Sequence, residues 1–194
     1  YFWWGDTVGY TNTNPNGSGQ WVSVDGNNTT ISFSESDTTA NQTYDKDLAA
    51  LYNDGNGYID AADKNGKLKP EYDAAAAHWK EAWRMPTADE VEKLADEDVC
   101  QRTWVENYND KVGVNGYVVR GKAGTPYANN EVFFPAAGSG SGSSLNGTGV
   151  GGRYWSSTPT PSSSFNAQNL VFNQNSFNGK GGGRYGGCVV RPVR

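Results

Sequence analysis

Apolar positions along this chain come in short bursts separated by long polar stretches, and the period of each burst predicts its element. Helical signal concentrates in "PEYDAAAAHWKEAWRMPTADEVEKLADEDVC", from Pro70 to Cys100. Pro70 suits a first helical turn, and Asp73 to Lys80 is built of strong helix formers. Pro86 disfavours a helical Met85 and ends that pattern. Thr87 then caps a second helix, with Glu90 three residues on completing a capping box and Val91, Leu94 and Ala95 forming an apolar stripe. The pattern predicts two helices of modest length joined by a short extended segment.

The remaining bursts have strand character. "YFWWGD" opens the chain as a strand, and "WVSVD" and "TISFS" are candidate hairpin strands within Thr11 to Thr43, a polar stretch read as an insertion. "NGYVVRG", "NEVFFPAAG", "RYWSST" and the closing "CVVRPVR" are short apolar runs bounded by turn residues. "SGSGSSLNGTGVGG" (Ser139 to Gly152) has linker composition, with Leu145 as an anchor inside it. In "FNAQNLVFNQNSFNGKGGG", Leu170 and Phe172 share one face of a strand, so Asn169, Val171 and Asn173 point the other way. The expected fold class is α+β: two helices, a small mixed β-sheet and long loops, with the N- and C-terminal strands adjacent. The expected core is Phe2, Trp79, Trp83, Leu94, Trp104, Phe133, Trp155, Leu170 and Phe172.

Composition alters this picture in one respect. Val, Ile, Leu and Phe are scarce for a globular core, but 7 Trp and 11 Tyr offset the deficit, because each aromatic buries a large area. A single domain spanning residues 1–194, with an aromatic core and much loop, follows. The net charge of -5 leaves no basic stripe to neutralise phosphates, so nucleic acid is not an expected partner. No apolar run reaches membrane-spanning length. The opening lacks a start Met and a signal peptide, which reads as a segment excised from something longer. Cys100 and Cys188 are either a pair or two buried thiols. The Asn-x-Ser/Thr triplets at Asn16, Asn27, Asn28, Asn41 and Asn146 are expected by chance at this composition.

The order of "YFWWGD", "DAAAAHW", "WRMPT", "GVNGY", "VFFPAAG", "YWSS" and "VRPV" resembles the Fibrobacter succinogenes major paralogous domain family, a bacterial branch of the C-type lectin-like fold. The chain is also similar to the variable proteins of diversity-generating retroelements. The resemblance implies a C-type lectin-like fold in which Asn175 to Gly183 is the loop before the last strand. It also implies that adenine-directed mutagenesis rewrites a C-terminal segment, here residues 154–194, which forms the ligand-binding face. Asn-rich sequence between "YWSS" and "VRPV" is what adenine-rich template codons produce. A receptor-binding or adhesive module at a cell surface, outside the cell or on a phage virion is then expected. Its ligand is a protein or a glycan on another cell or surface. The alternative is a structural, non-binding domain of a larger exported bacterial surface protein.

The candidate ligand contacts are Ser162, Ser163, Ser164, Phe165, Asn166, Asn169, Asn173, Asn175, Phe177, Asn178, Lys180, Arg184 and Tyr185. They lie between the framework strands and point outward by the alternation that Leu170 and Phe172 set. Phe165, Phe177 and Tyr185 are expected to dominate, because aromatics anchor interfaces while amides adapt to them. Trp83, Arg84, Pro86, Trp155, Arg191 and Pro192 match the framework motifs, and Arg84 and Arg191 are expected to be held by carboxylates or carbonyls.

Other chemistry is thinner. "NDGNGYIDAAD" offers Asp54, Asn56, Asp60 and Asp63 as calcium ligands. With Gly57 at the obligatory glycine position, however, the first ligand position falls on Tyr52 and the last is Asp rather than Glu. An Asx-rich turn is the simpler reading, and no cofactor is expected beyond this calcium candidate. The calcium-dependent sugar signatures of the lectin fold are missing from the sequence. His78, the single histidine, has no nucleophile motif near it. "WRMPTADE" resembles a segment of the formylglycine-generating enzymes, but their C-terminal cysteine pair is reduced here to Cys188. Catalysis is not expected.

Overall fold

Asp73 sets the first helix. In the computed structural model, which describes residues 1–15, 17–35, 61–63, 67–80, 82–161 and 163–194, its Oδ1 accepts the Ala75 and Ala76 amides at 2.8 and 3.1 Å. That cap starts α1 (Ala74–Trp79), directly after a 3-10 turn at Pro70–Tyr72. The second Asp73 oxygen takes the Met85 amide at 2.9 Å, so one buried carboxylate ties α1 to the extended segment that follows. The Thr87–Glu90 capping box forms as expected and opens α2 (Ala88–Ala95). Glu90 also grips Arg84 through two hydrogen bonds of 2.7 Å. That guanidinium, helped by the Thr87 amide, holds the Glu90 carboxyl down at about 2.

Everything else regular is strand. The order is β1 (Tyr10–Asn12), β2 (Trp21–Ser23), β3 (Thr30–Ile31), β4 (Cys100–Val105), β5 (Gly116–Gly121), β6 (Glu131–Pro135), β7 (Ala137–Ser141), β8 (Ser144–Thr148), β9 (Gly151–Thr160), β10 (Ser163–Asn173) and β11 (Ser176–Gly183). Two sheets have three strands each, β1-β2-β3 and β4-β5-β6, and the third has the order β11-β10-β9-β7-β8. All neighbours run antiparallel except β7 and β9. Phe2 and Cys188 exchange backbone hydrogen bonds of 2.9 and 3.1 Å, so the two chain ends lie side by side as anticipated.

The α+β, C-type lectin-like expectation is not met. The structure is mostly β, about 46% strand and 12% helix, and its largest sheet is a curled five-strand half-barrel. Two segments account for much of the difference. Ser139 to Gly152 was expected as linker but forms the β7–β8 hairpin and the start of β9, with Leu145 buried as its anchor. Asn175 to Gly183 was expected as a loop, yet β11 pairs with β10 from Asn173↔Ser176 to Asn166↔Gly183. A β-ladder is made by backbone groups alone. Gly- and Asn-rich sequence therefore joins one wherever an apolar residue fixes its register.

The core is aromatic, in three clusters. Trp4, Met85, Trp155, Ala167 and Cys188 form one; Tyr117, Phe134, Tyr154, Leu170, Phe172 and Phe177 form the second; Trp3, Tyr10, Trp21, Ile31 and Phe33 form the third. Trp155, Leu170 and Phe172 are buried as expected. Trp79 is not, at 47% exposed, because α1 ends there and turns its last residues outward. Phe134 rather than Phe133 is the buried member of its strand, while Phe133 stacks on Tyr108 at 3.8 Å. The stretch read as an insertion supplies Trp21, Ile31 and Phe33 to the third cluster. A Cβ on Gly187 would fall 2.6 Å from the Phe33 ring, so only glycine allows that approach. Cys100 and Cys188 are both free thiols, buried in different clusters.

Asp6 is buried beside this core, which pushes its carboxyl up to about 6 despite hydrogen bonds from the Val8 and Thr7 amides. A raised carboxylate favours the protonated folded state, so the stability it contributes is complete below pH 4 and is lost as the pH rises through about 6. Asp6→Asn is expected to stabilise the chain above pH 6 by about 1–3 kcal/mol and to change little at pH 4, as read from urea midpoints at both pH values. Equal midpoint shifts at the two pH values would remove the titration argument.

Candidate functional site

The C-terminal segment is built on β9, β10 and β11. Alternation along β10 sends Leu170 and Phe172 into the second cluster, where Phe172 stacks on Phe177 with 5.5 Å between centroids. Their cross-strand partners Tyr154 and Gly152 lie on the same face. The opposite face therefore collects Arg153 and Trp155 from β9, Asn169, Val171 and Asn173 from β10, and Asn178, Lys180 and Gly182 from β11. Register shifts between Ser163 and Asn169 bend β10 at the edge of this face.

The structure sorts the sequence-derived contacts into three groups. Phe165, Asn173, Asn175, Asn178 and Lys180 are exposed, and Ser163, Asn166 and Tyr185 are half-buried. Asn169, Phe177 and Arg184 were expected to point outward to solvent and are instead buried. Phe177 turns inward because β11 is a strand, and the pairing Phe172↔Phe177 puts it on the core face. Arg184 follows the end of β11 and is fully buried, with its guanidinium 5.7 Å from the Trp4 ring centre. Asn169 does lie on the outer face, paired with Trp155 and Lys180, but it is covered there rather than open to solvent. Ser162 and the side chain of Ser164 lie outside the described residues, as do Asp54, Asn56 and Asp60 of the calcium candidate. Asp63 is described, and its Oδ1 accepts the Lys67 amide at 3.0 Å.

Two clefts flank β11. One, of about 680 Å³, lies at its tip and is lined by Arg102, Tyr117, Asn175, Phe177 and Asn178. Arg102 is engaged there: it binds the Leu94 carbonyl and Glu97 and lies 5.5 Å over the Phe177 ring. The other cleft, of about 320 Å³, lies at the base of β11, between Arg153, Asn169, Gly182 and Tyr185 on one side and Ser139 and Asn146 of the β7–β8 hairpin on the other. No Asp or Glu lines it among the described residues.

Asn169 distinguishes the second cleft. It is 1% exposed, and neither Oδ1 nor Nδ2 of its amide has a hydrogen-bond partner. A buried polar atom left unpaired costs about 1–3 kcal/mol. An apolar residue of like volume would avoid that cost, so the amide leaves one donor group and one acceptor of the cleft wall without a partner. Two nearby polar groups are satisfied: Ser156 Oγ on β9 donates to the Gln168 carbonyl at 2.8 Å, and Trp4 Nε1 of the N-terminal segment donates to the Ser156 carbonyl at 2.7 Å.

Sequence reasoning missed Arg153, Ser139 and Asn146. Arg153 was legible in principle, since it immediately precedes the inward Tyr154 and so faces outward. Ser139 and Asn146 were not, because only the tertiary pairing of β7 with β9 brings their hairpin to this face. Arg84 sits on Glu90 as the framework reading required, and Arg191 is exposed. His78 is exposed too, with Nε2 2.7 Å from the Thr7 carbonyl.

No family model, curated protein or solved structure matches this chain. Among the described residues, no helix is long and apolar enough to cross a membrane.

Proposed function

We propose that this chain is a ligand-binding module, receptor-binding or adhesive, whose C-terminal segment displays a variable surface outside the cell, at a cell surface or on a phage virion. The unpaired, buried Asn169 amide at the base cleft carries the reading, because a purely structural sheet gains nothing from it. Exposed Asn173, Asn178 and Lys180 extend the same face. The resemblance to retroelement variable proteins adds the display of a rewritten segment, not a fold. Partners are proteins or glycans on another cell or surface.

Backbone pairing along β10 and β11 leaves outward side chains free to change, as diversification demands, since ladder hydrogen bonds are indifferent to them. The test is a displayed library randomised at Phe165, Asn173, Asn175, Asn178, Lys180 and Tyr185, scored separately for folding and for capture of an immobilised globular protein. Most variants are expected to fold, with stability changes within about 0.5 kcal/mol at the exposed positions, and a subset to acquire capture. General unfolding of the library, or folding with no binder recovered, would return the chain to the structural, non-binding alternative. At the DNA level, an adenine-rich near-copy of the codons for residues 154–194 beside a reverse transcriptase gene is the matching expectation.

A further inference from the structure

The base cleft is basic although the chain is acidic. Its one charged lining residue is Arg153, which is exposed and has no ion pair or hydrogen bond within the described residues. Lys180 lies directly across from Asn169 on β11, with β10 between it and Arg153. The position a Cβ would occupy on Gly182 lies 2.7 Å from Asn169 Nδ2 and 3.9 Å from Arg153 Nη1. The Asn169 amide therefore packs directly against the bare Gly182 backbone, with the Arg153 guanidinium on the same side of it. The amide's other atom, Oδ1, lacks a donor.

The geometry points to a carboxylate ligand bearing a hydrogen-bond donor on the carbon next to the carboxyl group. The carboxylate oxygens accept from the Arg153 guanidinium and from Asn169 Nδ2, and the adjacent N–H or O–H donates to Asn169 Oδ1. Arginine suits this role because its planar fork matches a carboxylate. Both amide atoms are closed to solvent in this structure, so binding requires the cleft wall around Asn169 to open. Two sources present this group: the C-terminus of a peptide chain, with its α N–H, and a 2-hydroxy acid. The inference rests on the proposed ligand-binding reading and narrows it to one chemistry.

Titration of the ¹⁵N-labelled chain, followed by NMR at the Asn169 side-chain amide and the Arg153 Nε–H, tests it with three probes. N-acetyl-L-alanine represents the chain terminus, L-lactate the hydroxy acid, and propionate the bare carboxylate. Saturable shifts at both groups are expected with one or both of the first two, roughly tenfold tighter than with propionate, because propionate leaves Oδ1 unpaired. Whichever probe binds more tightly identifies the source. Asn169→Leu and Arg153→Gln are each expected to abolish the shifts of the remaining group, with the thermal midpoint of Asn169→Leu unchanged or raised, since it removes an unpaired amide. Gly182→Ala is expected to weaken binding at least tenfold, because its methyl group would meet Asn169 Nδ2 at 2.7 Å and push the amide out of place. Silence at both groups, equal binding of propionate, or binding retained by Asn169→Leu overturns the inference. If library variants still capture their target while these groups stay silent, the carboxylate assignment falls and the display reading stands. If neither responds, both fall.

Discussion

Phe172→Ala is expected to lower stability by about 3–5 kcal/mol. Phe172 is buried, stacks on Tyr154 and Phe177 with centroids 5.9 and 5.5 Å apart, and meets Tyr117 edge-on at 5.6 Å. Its ring also fills the space over Gly152, where a Cβ would lie 2.8 Å from it. Removal leaves a cavity that three rigid rings cannot collapse into, so the cavity term adds to the lost transfer energy. For a domain of this size the thermal midpoint should fall by roughly 10 °C. A near-neutral midpoint would show that the ring does not pin β10 against β11.

Arg184→Ala is expected to cost about 3 kcal/mol, whereas Lys180→Ala, a few residues away, should stay within about 0.5 kcal/mol. Arg184 has no exposed surface, and its guanidinium lies over the Trp4 ring, where a desolvated cation–π contact is worth about 2 kcal/mol. Its backbone adds two ties that alanine keeps, from its N–H to the Phe165 carbonyl at 2.9 Å and from the Trp4 N–H to its carbonyl at 3.3 Å. The loss is therefore a side-chain loss, at the junction where the end of β11 meets the N-terminal segment. Urea unfolding at constant slope separates the two variants. If Arg184→Ala unfolds like the wild-type chain, the residue belongs with the outward contacts after all.

Leu170 and Phe172 were legible because strand alternation needs only their spacing, and Asn169, Asn173 and the outer face followed from them. Phe177 was misplaced because Asn175 to Gly183 carries the composition of a loop. Once β11 pairs with β10, the register opposite Phe172 decides where that ring goes. Arg184 was misplaced for a related reason: nothing local announces a buried arginine, since the aromatic that receives it, Trp4, is at the other end of the chain.

The balance of the fold divides in the same way. Local signals settled the two helices, the second from its Thr87–Glu90 box and the first with its start moved from Pro70 to the Asp73 cap, and the apolar bursts of β5, β6, β9 and β10. Those features depend on residues within a few positions of each other, so the sequence by itself determined them. The adjacent chain ends were also anticipated, and Phe2 and Cys188 are bridged. Only the tertiary structure decided that glycine-rich stretches become β7, β8 and β11, and that β7 runs parallel to β9. It alone brought Arg153, Asn169 and Gly182 around one cleft. Backbone ladders and the burial of an unpaired amide depend on what lies across the sheet, and partners distant along the chain leave no trace in local pattern.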